Sequence, residues 1–190
     1  QLFYGPGACS FVPHVLLEAS GAPFEPRMVR LHKNEQDEAA FRAVNPRGQV
    51  PVLVHDGAAV TQIVAIVGYL DALFPQQHIL PREALPRARA MELLAWMNNT
   101  LHPTFTHVFM PHKFSDDAAV QAELRRYNAQ VYRGLLQELQ ARVQTAGDGW
   151  LAGAFFGPLD AYALTLTRWG TMAGIDPEGL PALWAFVQRV

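Results

Sequence analysis

The sequence predicts a chain in two parts, an α/β N-terminal half followed by an all-α C-terminal half. Three observations carry this. Up to about Phe74 the apolar pattern changes period every few residues, the signature of strands alternating with helices. The stretch PQQHILPREALP, with three prolines in twelve residues, then keeps no period and reads as a linker. Beyond it nearly every segment holds the helical spacing. The expected boundaries are residues 1–75 for the first domain, 76–86 for the linker and 87–190 for the second.

In order along the first half, LFY is a short strand, and SFVPHVLLEAS is a helix that stops at Gly21. EPRMVRL alternates as a strand does, and DEAAFRAV is a short helix closed by Asn45-Pro46. VPVLVHDGAAV holds two strand runs around Asp56-Gly57, a pair that readily takes the positive φ values of a tight hairpin turn. TQIVAIVGYLDALF returns to helical spacing. The predicted order is βαβα, then ββα. In the second half four helical stretches follow: RARAMELLAWMNNTLHPTFTHVFM, DDAAVQAELRRYNAQVYRGLLQELQARV, PLDAYALTLTRWGTMAG and LPALWAFVQRV. In the second of these Leu124, Tyr127, Val131, Leu135 and Leu139 lie near one face.

Composition narrows the class of function. The chain has 190 residues, 50% of them hydrophobic and 17% charged, enough to bury a core without disulfide staples. Its formal charge is −2, with Lys and Arg scattered, so nucleic acid is not a predicted partner. The longest apolar runs, such as VAIVGYL, are far shorter than the ~20 residues of a membrane span, so no membrane contact is predicted. One cysteine cannot form an intramolecular disulfide and the opening QLFY reads as a strand, so a reducing cytoplasm is expected. Gln1 is an unusual initiator and the chain stops within a helical pattern, so both ends are expected to be incomplete. The histidines and the lone cysteine form no ligand pattern, and no metal is expected.

That cysteine, Cys9, lies in YGPGACSF, between a Gly-Pro-Gly turn and the start of the first helix. A free cysteine is most often a small buried hydrophobe. Its position argues for an activated sulfur, because a helix N-terminus carries about half a positive charge and unpaired N–H donors. Lowering a thiol pKa from about 8.5 to about 6.5 takes ~2.7 kcal/mol and makes the anion the majority form at neutral pH. Pro51, in NPRGQVPVL, is by type a strand-entry residue. A cis bond before it would leave the N–H and C=O of Val50 free to grip an extended peptide. His102, in TLHPTF, is by type a packed core or boundary histidine, and Pro103 after it should kink the helix. His107 and His112 read as solvated or packing residues.

Taken together and in order, FYGPGACS, NPRGQVPVL, VTQIVAIVGYL and GPLDAYAL resemble the cytosolic glutathione S-transferase family, and the Gly-Ala-Cys-Ser run is similar to its bacterial beta class. The resemblance implies a thioredoxin-like N-terminal domain that binds glutathione, a helical C-terminal domain that walls a pocket for a small hydrophobic electrophile, and a homodimer. It implies that Cys9 is catalytic and able to form a mixed disulfide with glutathione. Ser10 and then Tyr4 are the alternative donors to the glutathione sulfur, and His102 donates to its thiolate. Glutathione is expected to lie extended along Gln49, Val50 and Pro51, held by Gln62 and the N–H of Ile63. Lys33 is placed to reach its glycyl end, a solvated surface lysine being an equally good reading.

Two departures from the family pattern stand out. Ile63 occupies a position where the family usually has serine, so a hydroxyl to the γ-glutamyl carboxylate is absent while the N–H survives. One such bond is worth ~0.5–1.5 kcal/mol, or up to ~3 to a charged partner, so weaker glutathione binding is expected. Gly157 stands where the family has a hydroxyl helix cap, leaving Asp160 alone of the reciprocal pair. Phe105, Phe109 and Trp169 are core residues by default, some of which must line the electrophile pocket if the resemblance holds. The predicted activity is a glutathione transferase. The alternatives are a glutathione-dependent thiol–disulfide reductase or peroxidase using Cys9 covalently, and a non-catalytic binding or regulatory protein of the same fold.

Overall fold

Strand β1 (Leu2–Tyr4) pairs in parallel with β2 (Pro26–Met28) and antiparallel with β3 (Val52–His55), and β3 pairs antiparallel with β4 (Ala58–Thr61). The sheet order is β2-β1-β3-β4. Parallel neighbours need a crossover, and α1 (Phe11–Ser20) supplies it. That helix ends at Gly21, whose φ of 67° is left-handed and whose N–H returns to the carbonyl of Glu18. Asp56 and Gly57 both take positive φ, 49° and 79°, as a two-residue hairpin requires. The computed structural model that shows this describes residues 1–190 in full.

Alternation along the strands divides the side chains between two faces. Phe3, Val52 and Val54 pack on one face with Val29 and with Phe41 of α2 (Ala39–Val44). Leu2 and Leu53 turn to the other, where α1 and α3 (Ile63–Leu73) bury Val12, Leu16, Ile66 and Leu70. The βαβα–ββα order expected of this half is the one observed.

The chain divides into two units, Gln1–Arg87 and Ala88–Val190. The proline-rich stretch before the division is held more firmly than its lack of period suggests. Ile79 and Leu80 are buried, and the buried Asp71 accepts hydrogen bonds from the N–H of Leu80 at 3.1 Å and from Arg82 and Arg87 at 3.2 and 2.7 Å. Helix α4 (Ala84–Trp96) begins inside that stretch.

The second unit is helical throughout. After α4 the backbone takes π-helical spacing over Met97–Leu101 before α5 (His102–Phe109). Pro103 explains the change: it has no N–H, and in a regular helix its ring would press on the carbonyl four residues back. Helices α6 (Ala118–Ala146), α7 (Pro158–Gly170) and α8 (Pro181–Val187) complete the unit. Every residue of α7 except Leu164 and Arg168 is buried, which makes it the centre of this core.

The buried face of α6 is Tyr132, Leu136, Leu139 and Val143, so of the predicted stripe only Leu139 is in the core, and Tyr127 is 59% exposed. Both stripes have helical spacing. The choice between them is made by the helices packed on α6: Phe105 of α5 meets the Tyr132 ring at 5.5 Å, and the Leu166 carbonyl of α7 accepts the Tyr132 hydroxyl at 2.7 Å. At the start of α7, Asp160 accepts from the N–H of Gly157 at 2.8 Å and of Leu151 at 2.9 Å, so it joins the preceding loop to the helix without a cap side chain.

Candidate active site

Strand register brings the sequence motifs of the first unit to one end of its sheet. Phe3 faces Val52 and Val52 faces Thr61. One step further along each strand therefore places Tyr4, Pro51 and Gln62 side by side. From that edge the chain enters two helices, α1 after Ser10 and α3 after Gln62. Two helix N-termini and one non-helical turn thus share the same end of the sheet.

At the first of these, Ser10 is fully buried. Its hydroxyl accepts the N–H of Gly5 at 3.0 Å and donates to the carbonyl of Gly5 at 3.1 Å. A Cβ at Gly5 would lie 2.9 Å from the end of the Leu31 side chain, which would have to shift to admit it. Ser10 is therefore corrected from an alternative thiol donor to a clamp on the loop between β1 and α1. Both of its hydrogen-bonding roles are already taken.

Cys9 is 7% exposed, with Sγ 3.8 Å from the carbonyl oxygen of Val50. Burial pushes its thiol up to about 12, against the opposing pull of the backbone N–H groups of Cys9 and Ser10. The expected lowering is thus reversed. The helix terminus does favour an anion, but the sulfur sits where desolvation disfavours it more. Tyr4 is half-buried and its ring packs edge-on against His14 at 4.8 Å.

The Val50–Pro51 bond is cis. The N–H of Val50 has no acceptor in the protein, and its carbonyl meets only the Cys9 thiol. The loop before it is held by the buried Asn45, whose amide donates to the carbonyl of Gln49 at 2.7 Å and accepts from the N–H of Arg47 at 3.2 Å. The Gln49 side chain is exposed.

At the third motif Gln62 has φ 72° and ψ 128°, a conformation few non-glycine residues adopt. Its side chain makes no cap bond, and the N–H groups of Ile63, Val64 and Ala65 have no acceptor in the protein. The side chain of Ile63 is buried. The methyl groups that replace the usual hydroxyl therefore serve the core, and the anion-attracting N–H groups remain. Lys33 is exposed at the end of a short 3-10 turn, while the neighbouring Glu35 is taken by Arg30 at 2.8 Å.

In the second unit His102 stands at the start of α5. Its Nδ1 lies 2.7 Å from the hydroxyl of Tyr162, its ring packs edge-on against Trp169 at 4.8 Å, and burial lowers its pKa to about 4. It is a neutral imidazole at physiological pH. Phe105 stacks between Trp169 and Phe109, at 4.8 and 5.6 Å. Phe105 and Trp169 are buried, whereas Phe109 is 53% exposed. Nowhere do three His, Cys, Asp or Glu side chains converge. No helix is long and apolar enough to cross a membrane.

Sequence reasoning missed Asn45, read only as a helix stop, and Tyr162, read only as part of a helix-start motif. For Asn45 the signal was present: an Asn followed by Pro and Gly commonly bonds its own backbone two residues on. For Tyr162 no local signal exists, because its partner is sixty positions away.

A thioredoxin-like four-stranded unit followed by a helical unit, with two helix N-termini at one end of the sheet, defines a family, and comparison with known proteins agrees. Residues 1–72 match the family model of the glutathione S-transferase N-terminal domain and residues 96–190 that of the C-terminal domain. Glutathione S-transferase GstA of Escherichia coli is 34% identical over 194 residues, spanning 100% of this chain and 92% of its own. Among solved structures, a sphingomonad glutathione S-transferase complexed with glutathione is similar with a TM-score of 0.84 and 31% identity, over 99% of this chain and 90% of that one. A bacterial beta-class glutathione S-transferase from Sphingomonas chungbukensis gives 0.83 and 30%, over the same shares. The chain belongs to the glutathione S-transferase family. It is a glutathione transferase of the bacterial type.

Proposed function

We propose that the end of the first unit's sheet binds reduced glutathione and holds its thiol for attack on a small hydrophobic electrophile. The single observation that carries this is the register that sets Tyr4, Pro51 and Gln62 side by side. It puts the unpaired N–H of Val50 beside the unpaired N–H groups that open α3. The backbone of Val50 pairs with the extended peptide, Gln62 and the Ile63 N–H take the γ-glutamyl carboxylate, and Lys33 takes the glycyl carboxylate.

The glutathione sulfur then lies at the start of α1, beside Cys9. The raised pKa of Cys9 favours a reading in which glutathione's own thiol is the nucleophile and Cys9 a neutral neighbour. By resemblance to the beta class, His102 is a catalytic residue. As a neutral imidazole it can donate from one nitrogen without adding a charge. Placement and partial stabilisation of the thiolate are the terms that speed such a reaction. A homodimer and a cytoplasmic location complete the reading.

Calorimetric titration with reduced glutathione tests it. Saturable binding at millimolar concentration or below is expected, weakened about tenfold in Gln62→Ala through the loss of one hydrogen bond to a carboxylate. A folded wild-type protein that takes up no glutathione would refute the site.

A further inference from the structure

A tyrosine buried in a helical core keeps its hydroxyl only where a partner meets it. Tyr162, on the fully buried side of α7, meets His102: its oxygen is 2.7 Å from Nδ1, and the Oδ1 of Asn98, in the π-helical segment, is 3.5 Å away. The hydroxyl has one proton to give. The shorter approach is to the imidazole, and the carbonyl-type oxygen of Asn98 is the more distant competitor. An Nδ1 that accepts a proton in a neutral ring leaves the ring's own proton on Nε2.

We infer that Tyr162 is a positioning residue for His102, donating to Nδ1 so that the ring is locked in one orientation with an N–H donor at Nε2. The inference rests on the reading above that His102 is a catalytic residue of a glutathione transferase. Burial, which holds the ring neutral, leaves the tautomer as the remaining variable. Trp169, edge-on at 4.8 Å, limits the ring's tilt, and Tyr162 limits its rotation. A second histidine on the same helix shows that the tautomer follows the partner. His107 Nδ1 lies 2.7 Å from the Pro103 carbonyl, which can only accept, so there the proton sits on Nδ1. Two histidines five positions apart carry their protons on opposite nitrogens.

The test pairs nitrogen-15 NMR of the two imidazoles with kinetics of Tyr162→Phe, His102→Ala and the double variant. In the wild type, His102 should show an unprotonated Nδ1 and a protonated Nε2, with His107 reversed as the internal control. In Tyr162→Phe the His102 nitrogen signals should move. The kcat for conjugation should fall about tenfold, with the KM for glutathione held within about twofold. In the His102→Ala background the same change should have no further effect, because a residue acting through another loses its influence when that other is gone. A protonated Nδ1 in the wild type, His102 signals unmoved by Tyr162→Phe, or an equal loss of kcat with and without His102 would each overturn the inference. If the wild-type protein does not conjugate at all, the transferase reading fails, and the nitrogen signals still decide whether Tyr162 sets the tautomer.

Discussion

Replacing Ser10 by alanine separates two roles that give opposite results. If the hydroxyl served the glutathione sulfur, its loss would cut turnover and leave the fold alone. The structure instead closes it onto Gly5, by one bond accepted at 3.0 Å and one donated at 3.1 Å, with both residues buried. In Ser10→Ala the Gly5 N–H loses its acceptor, which for a buried donor costs about 1–3 kcal/mol. The Gly5 carbonyl keeps the N–H of Ala8 at 3.1 Å, so its loss is nearer one ordinary bond, about 1 kcal/mol. The sum is roughly 2–4 kcal/mol, and at about 2–4 °C per kcal/mol for a chain of this size the melting point should drop by roughly 5–15 °C. Thermal unfolding by circular dichroism reads the drop, and a pH titration of bound glutathione by thiolate absorbance reads any effect on the sulfur. An unchanged melting point with a raised glutathione thiol pKa would refute the clamp and restore Ser10 as a thiol donor.

Other outcomes follow from burial. With its thiol pushed up to about 12, Cys9 should be about one part in ten thousand thiolate at pH 8, and alkylation of the free protein should be orders of magnitude slower than of a free cysteine; rapid labelling at neutral pH would contradict this. Burial also raises Asp160, from 3.8 to about 6, so between those values the folded chain keeps a proton that the unfolded chain releases. Its contribution is therefore full below pH ~4 and lost as pH rises through ~6, about 3 kcal/mol in all. The stability difference between wild type and Asp160→Asn, from urea unfolding at several pH values, should shift against the wild type across that window, and a flat difference would count against it. The buried hydroxyl of Thr167 has no partner, so Thr167→Val should raise stability by about 1 kcal/mol in the same assay, whereas a loss would point to a hidden hydrogen bond.

Order and type of the main elements, and some of their ends, were legible in the sequence because each depends on residues close in the chain. The turn at Asp56-Gly57 needs two adjacent residues able to take positive φ, and the end of α1 needs one, Gly21. Motif spacing likewise made the family legible, and the two-residue turn sets the register of β3 against β4. What only the tertiary structure decided concerns partners far apart in the chain. Two stripes of α6 were equally periodic, and packing against α5 and α7 selected the one led by Tyr132. The sequence shows Cys9 at a helix start and so argues for a low pKa, but it does not show how much protein covers the sulfur. Desolvation grows with that cover, and here it outweighs a dipole that the sequence makes visible. Ser10 and Tyr162 were misread or passed over for the same reason: a hydroxyl's role is set by the atom it meets, and that atom is supplied by the fold.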